Sequence, residues 1–147
     1  MGPDLTLLEH VPLAPRTTLG VGGAARFFCE ATTPAAVRAA LTWARERDLP
    51  VLILGGGSNL LVADRGLPGL VLRPRIPGLH VDPISPSLVH VTAGAGEPWD
   101  PFVERTVAND WAGLECLSGI PGDVGSTPIQ NVGGDAGEAL EAGPVVG

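Results

Sequence analysis

The apolar and polar positions of this chain predict short strands, two helices and long glycine-rich connections. Ala24-Ala25-Arg26-Phe27-Phe28-Cys29-Glu30 has the composition of a strand, and the Thr33-Pro34 that follows sets a capping hydroxyl beside a proline at the first helical position. Val37, Leu41 and Ala44 recur at spacings of four and three, which predicts a helix with those residues inward and Arg38, Arg45 and Glu46 in water, ending near Asp48. Pro50-Val51-Leu52-Ile53-Leu54 is continuously apolar, the pattern of a strand covered on both faces, and it runs straight into Gly55-Gly56-Gly57. Leu70-Val71-Leu72 predicts another strand before Pro74 and Pro77 break the pattern.

Past those prolines, Leu88 to Ala93 alternates like a strand, and Pro98 to Trp111 predicts a helix with Phe102, Val103 and Val107 on its apolar side. Ser126-Thr127-Pro128 predicts the cap and first turn of one short helix reaching Asn131. The expected class is α+β, with an α/β lobe over residues 1–76 and the start of a second, α+β lobe over residues 77–147. The ending Gly143-Pro144-Val145-Val146-Gly147 reads as a strand barely begun, so the second lobe is expected to be incomplete.

Composition narrows the chemistry. With 44% hydrophobic and 17% charged residues in 147, a packed core is expected. Glycine (21) and proline (15) imply many tight turns and exclude a helical bundle. The formal charge of −7 and the lack of a basic stripe exclude nucleic acid as a partner. All nine basic residues are arginine, so P-loop lysine and lysine Schiff-base chemistry drop out, and a phosphate here must be held mainly by backbone N–H groups and hydroxyls. Cys29 and Cys116 stand apart without metal or redox spacing and are expected to be buried free thiols. No basic flank precedes a long apolar run at the N-terminus and no 18-residue apolar stretch occurs, so a cytoplasmic protein with no membrane partner is expected.

Two stretches carry candidate chemistry. In Leu54-Gly55-Gly56-Gly57-Ser58-Asn59, three glycines after an apolar strand let the backbone approach an anion without Cβ interference, and Ser58 and Asn59 add side-chain donors. Taken alone it also fits a plain glycine-rich turn. It matches neither G-x-G-x-x-G nor Walker A. The second stretch runs from Leu117 through Ile120-Pro121-Gly122 and Gly125-Ser126-Thr127 to Gln130-Asn131-Val132-Gly133-Gly134. Two backbone-donor sites on consecutive lobes suit a long dinucleotide, whose pyrophosphate and ring system are gripped apart.

Taken in order, Thr17 to Ala25, Leu52 to Val62, Ala93-Gly94-Ala95-Gly96, Gly113-Leu114-Glu115, Ile120-Pro121-Gly122 and Pro128-Ile129-Gln130-Asn131 resemble one family, the UDP-N-acetylenolpyruvoylglucosamine reductases. The similarity runs from about residue 10 to residue 134, and the ordered set is far more specific than any one glycine cluster. It implies a FAD-binding fold of the vanillyl-alcohol oxidase and p-cresol methylhydroxylase type. It implies FAD as cofactor, NADPH as hydride donor, and a nucleotide-sugar substrate, UDP-N-acetylglucosamine enolpyruvate, reduced to UDP-N-acetylmuramate for peptidoglycan. By position, Leu54 and Gly55 to Asn59 would hold the FAD pyrophosphate, and Ile120, Pro121, Gly122, Gly125, Ser126, Thr127, Gln130, Asn131 and Gly133 would line the rest of the cofactor.

Two departures matter. The family's proton donor, a Ser or Cys helped by a Glu and an Arg, would lie beyond residue 147 with the substrate-binding domain, so no side chain here is assigned a catalytic role. Where the family has Asn-x-Gly-Ala-Tyr-Gly, this chain has Asn131-Val132-Gly133-Gly134-Asp135-Ala136-Gly137 and no tyrosine anywhere. His10, His80 and His90 are expected to be structural or on the surface, without a carboxylate partner or a metal. Trp43, Trp99 and Trp111 are packing candidates, and Asp100 and Glu104 are expected on a solvated helix face. Rival expectations are another flavoprotein of the same fold, which would commonly tether FAD through a His or Cys that the first glycine stretch lacks, and a non-catalytic fragment.

Overall fold

The computed structural model describes residues 5–130 and 132. Strands β1 (Leu8–Pro12), β2 (Ala24–Ala31), β3 (Val51–Ile53) and β4 (Leu67–Pro74) form one sheet in the order β1-β2-β4-β3. β1 is antiparallel to β2, whereas β4 runs parallel to both β2 and β3. Helix α1 (Pro34–Arg45) connects β2 to β3. A separate hairpin, β5 (Leu79–Ser85) with β6 (Leu88–Ala93), is followed by helix α2 (Trp99–Ala108) and by two single 3-10 turns at Glu115–Leu117 and Val124–Ser126.

Helix α1 starts where the Thr-Pro pair places it. Thr33 is extended, its hydroxyl oxygen accepts from the Ala36 N–H at 3.1 Å, and Pro34 occupies the first turn, where no amide donor is missed. The face it buries differs from expectation. Ala36, Ala40 and Ala44 are buried, whereas Leu41 is exposed and Val37 packs at the margin. Small side chains at i, i+4 and i+8 let the helix lie close on the sheet, against Cys29, Ala31, Leu70 and Leu72.

Strand alternation then divides the core. Leu70 and Leu72 point to α1, while Val71 joins Phe28, Val11 and Leu13 on the opposite face. No helix among the described residues covers that second face. Leu54, Leu60 and Val62, from the connection between β3 and β4, pack there instead.

The run Val51 to Ile53 is an edge strand, not one covered on both faces: Val51 and Ile53 are 39% and 48% exposed, and β4 takes the central place. In α2, Trp99, Val103 and Thr106 are buried, while Val107 is exposed, so the apolar stripe lies one residue away from the expected one. Cys29 is buried but Cys116 is exposed. Burial, with the Glu30 charge adding to it, pushes the Cys29 thiol above its ordinary range. His80 and His90 do have a carboxylate nearby: His80 Nε2 lies 2.9 Å and His90 Nδ1 4.0 Å from Asp82 on the exposed hairpin.

Candidate functional site: two glycine loops in contact

The first loop begins where the β3 ladder ends. Leu54 is buried and its N–H bonds to the Leu72 carbonyl at 2.9 Å. From Gly55 to Asn59 the pattern changes: none of these five consecutive N–H groups finds an acceptor among the described residues. The loop is anchored by its other groups. Leu60 and Val62 pack into the core, the Gly57 carbonyl accepts from the Thr18 N–H at 3.0 Å, and Gly57 presses on the Arg16 carbonyl so closely that a Cβ there would collide. Gly57 also has φ +75°, so glycine is required on two counts. The Thr17-to-Ala25 segment acts as a clasp, and the Gly23 N–H bonds to the Ala63 carbonyl at 3.0 Å.

The second loop lies directly opposite. A Cβ on Gly55 would sit 3.1 Å from Ser126 Cβ, and one on Gly56 would sit 3.1 Å from Gly122 Cα. Gly55, Gly56, Gly122 and Ser126 are thus brought together, with Gly125, Thr127 and Gln130 on the same turn, and Ile120 and Pro121 leading into it. Asn131 and Gly133 lie outside the described residues. Between the loops is a cleft of about 60 Å³ lined by Ile53, Gly55, Asp123 and Ser126 among others. That is room for roughly four to six waters, small against the ~300–1,000 Å³ of a drug-sized ligand site. A larger hollow of about 550 Å³ lies away from the glycines, beside Leu41, Arg45 and Val51. It offers no comparable run of backbone donors.

The second loop spends most of its donors on itself and its neighbours, and only the N–H groups of Ile120, Gly122 and Asp123 find no acceptor among the described residues. Val124 N–H bonds to the Glu97 carbonyl at 2.8 Å and Gly125 N–H to the Ala95 carbonyl at 3.0 Å, while Trp99 N–H bonds back to the Gly122 carbonyl at 2.9 Å. The hydroxyls of Ser126 and Thr127 donate to the carbonyls of Asp123 and Val124, three residues earlier, and Gln130 Nε2 donates to Ser126 Oγ. These hydroxyls therefore do not cap a helix that starts after them. The helical turn is a 3-10 turn over Val124–Ser126, ahead of the expected place, because the backbone is pinned to residues 95–99.

Several contributors escaped the sequence. Asp100, expected only to face water, accepts from the Gly119 N–H at 2.6 Å and the Ser118 hydroxyl at 2.9 Å. The Gly119 bond first, then the Ser118 bond, holds its carboxyl below the ordinary range. Glu115 Oε2 accepts from the Gly113 N–H at 2.6 Å, and backbone N–H groups, its own first and then that of Gly113, hold its carboxyl low. Trp99 is buried, and its Nε1 donates to the Leu117 carbonyl at 2.8 Å. Asp123 is buried beside the cleft, 3.5 Å from Arg75, and its Oδ2 has no hydrogen-bond partner among the described residues. An acidic residue between Gly122 and Val124 was the one available signal for this last group.

The geometry can be set beside known proteins. A family model described as FAD binding domain matches residues 25–142. The UDP-N-acetylenolpyruvoylglucosamine reductase of Cutibacterium acnes is 51% identical over 125 residues, covering 85% of this chain and 33% of that protein. The reductase of the same name from Pseudomonas aeruginosa is 48% identical over 130 residues, 88% of this chain and 38% of that protein. A crystal structure of UDP-N-acetylenolpyruvylglucosamine reductase (MurB) from Thermus caldophilus has a TM-score of 0.63 at 32% identity, covering 84% of this chain and 41% of that one. The chain spans about a third of the length of the curated relatives it matches. It belongs to the FAD-binding domain family, in the form carried by the N-terminal part of the UDP-N-acetylenolpyruvoylglucosamine reductases.

Proposed function

We propose that this chain is the cofactor-holding part of a peptidoglycan-synthesis reductase. The observation that carries the proposal is the run of five N–H groups from Gly55 to Asn59, without acceptors among the described residues and placed against a second glycine loop. A row of backbone donors, the first three on glycines, suits a phosphate diester and needs no lysine. Leu54 to Asn59 would hold the FAD pyrophosphate. Ile120, Pro121, Gly122, Gly125, Ser126, Thr127 and Gln130, with Asn131 and Gly133, would line the remainder of the cofactor.

Bound FAD would supply the redox chemistry, a two-electron relay from NADPH to the enolpyruvyl double bond of UDP-N-acetylglucosamine enolpyruvate, giving UDP-N-acetylmuramate in the cytoplasm. The residues of this chain bind and orient. The Thr18–Gly57 clasp keeps the donors in place, and the bonds from residues 95–99 to residues 122–125 fix the opposite wall. No side chain here is assigned proton transfer, so the chain by itself is expected to bind FAD without turning over substrate. The proposal is tested by titrating the full chain with FAD and following flavin fluorescence. Saturable quenching supports it, and no change at high micromolar cofactor rejects it.

A further inference from the structure

The first two residues of α2 hold the second loop at both ends of its Ile120-Pro121 arc. At the near end, Trp99 Nε1 donates to the Leu117 carbonyl at 2.8 Å, and Asp100 Oδ1 accepts from the Ser118 hydroxyl at 2.9 Å and the Gly119 N–H at 2.6 Å. At the far end, the Trp99 N–H donates to the Gly122 carbonyl at 2.9 Å. Ile120 and Pro121, between them, make no hydrogen bond among the described residues. The two ends are not held alike. A Cβ on Gly122 would meet Ser126 Oγ and Gln130 Nε2, and Gly122 Cα lies against Gly56, so packing confines that end as well. Around Gly119, at φ +86°, nothing lies within 4 Å of where a Cβ would stand. Its bond to Asp100 is its one hydrogen bond among the described residues. A glycine without steric walls turns easily, so this carboxylate is what fixes the near end.

Resting on the FAD reading above, we infer that Asp100 is a positioning residue for cofactor binding: by pinning Ser118 and Gly119 it keeps the Ile120-Pro121 arc in the place from which it lines the cofactor. A ligand that binds only the ordered arc binds more weakly in proportion as that form is depopulated, so FAD affinity depends on this remote bond. A carboxylate suits the task, because one charged oxygen takes both donors in short, charge-assisted bonds. The coupling also runs in reverse. FAD, by favouring the ordered arc, tightens the bond between Gly119 and Asp100 and protects that N–H from exchange.

The test separates positioning from general stability. FAD affinity is measured by fluorescence on the full chain for the parent, Asp100→Ala, Asp100→Asn and Thr33→Ala, with a thermal melt of each. Thr33 makes the same kind of bond, a side-chain oxygen accepting the Ala36 N–H, but at the start of α1 and outside both loops. Asp100→Ala is expected to weaken FAD about fivefold, and Asp100→Asn, which keeps an acceptor oxygen, to recover most of that loss. Thr33→Ala is expected to lower the melting temperature and leave affinity within about twofold. In the parent, exchange of the Gly119 N–H, read by NMR, is expected to slow when FAD is added. Unchanged affinity in Asp100→Ala overturns the inference. So does an equal loss in Thr33→Ala, since the effect would then be one of stability alone, and so does Gly119 exchange that FAD leaves unaltered. If Asp100→Ala does not fold, Asp100→Asn and the exchange measurement on the parent decide. A parent chain that fails to bind FAD overturns the cofactor reading, and this inference with it, before any substitution is compared.

Discussion

Gly55 to Asn59 and Gly119 to Thr127 are both rich in glycine and hydroxyl side chains, but they use their backbones differently. In the first loop the carbonyl of Gly57 and the flanking Leu54, Leu60 and Val62 provide the anchorage, so the N–H groups are left over. In the second, the N–H groups of Gly119, Val124, Gly125, Ser126 and Thr127 are taken, and the hydroxyls of Ser126 and Thr127 with them, so that only those of Ile120, Gly122 and Asp123 find no acceptor among the described residues, and they do not form one unbroken run. Glycine content is therefore a poor guide to which loop can bind an anion. What decides it is which half of each peptide unit the rest of the fold consumes.

Substitutions can break or sharpen that contrast. The largest effect is expected at Gly57, where valine would meet the Arg16 carbonyl at φ +75°, so Gly57→Val should cost about 3 kcal/mol or more and abolish FAD binding, as read by thermal melting and titration. Gly56→Ala comes next. Its new methyl would stand 3.1 Å from Gly122 Cα, so melting should shift little while FAD affinity falls by about tenfold, ~1.4 kcal/mol. A matched pair of serines separates the loops more finely. Ser58→Ala should weaken FAD several-fold at unchanged stability, whereas Ser126→Ala, which loses an internal bond to Asp123, should cost about 1 kcal/mol of stability and leave affinity nearly alone. Equal behaviour of the two serines would erase the contrast.

The smallest effect concerns acid. The Asp100 carboxyl is held below its ordinary value of 3.8 in the folded chain. Its contribution to stability is thus complete above that value and is lost as pH falls through the lowered one. Asp100→Asn should flatten the acid limb of the stability curve, measured by denaturant melts between roughly pH 5 and pH 2.

Much of this was legible in the residues. β2, the Thr33-Pro34 start of α1, β6 and the body of α2 follow from local patterning, and the first loop stands out because glycines break a run of apolar residues. β1 and β5 were not foreseen: Pro12 ends one, and Asp82 and Pro83 interrupt the alternation of the other, while pairing with β2 and β6 restores both. Val51 to Ile53 looks central because periodicity reports apolar character and not strand order, and β4 takes the middle of the sheet from 14 positions later in the chain. Within the site, the residues of the second loop were visible but their spent donors were not. Those bonds come from Glu97, Ala95 and Asp100, more than eighteen residues away.

One consequence of the β3–β4 pairing concerns time. Parallel neighbours usually need a helix to carry the chain back, yet residues 54–66 make the return as a connection that holds the donor row. Val51 cannot find Leu70 until that connection has closed, and its N–H groups have no fixed direction until the pairing exists. During folding the nucleotide-gripping stretch should mature with the slow, non-local zippering of the sheet, so added cofactor would lengthen the life of the native state more than it hastens its arrival.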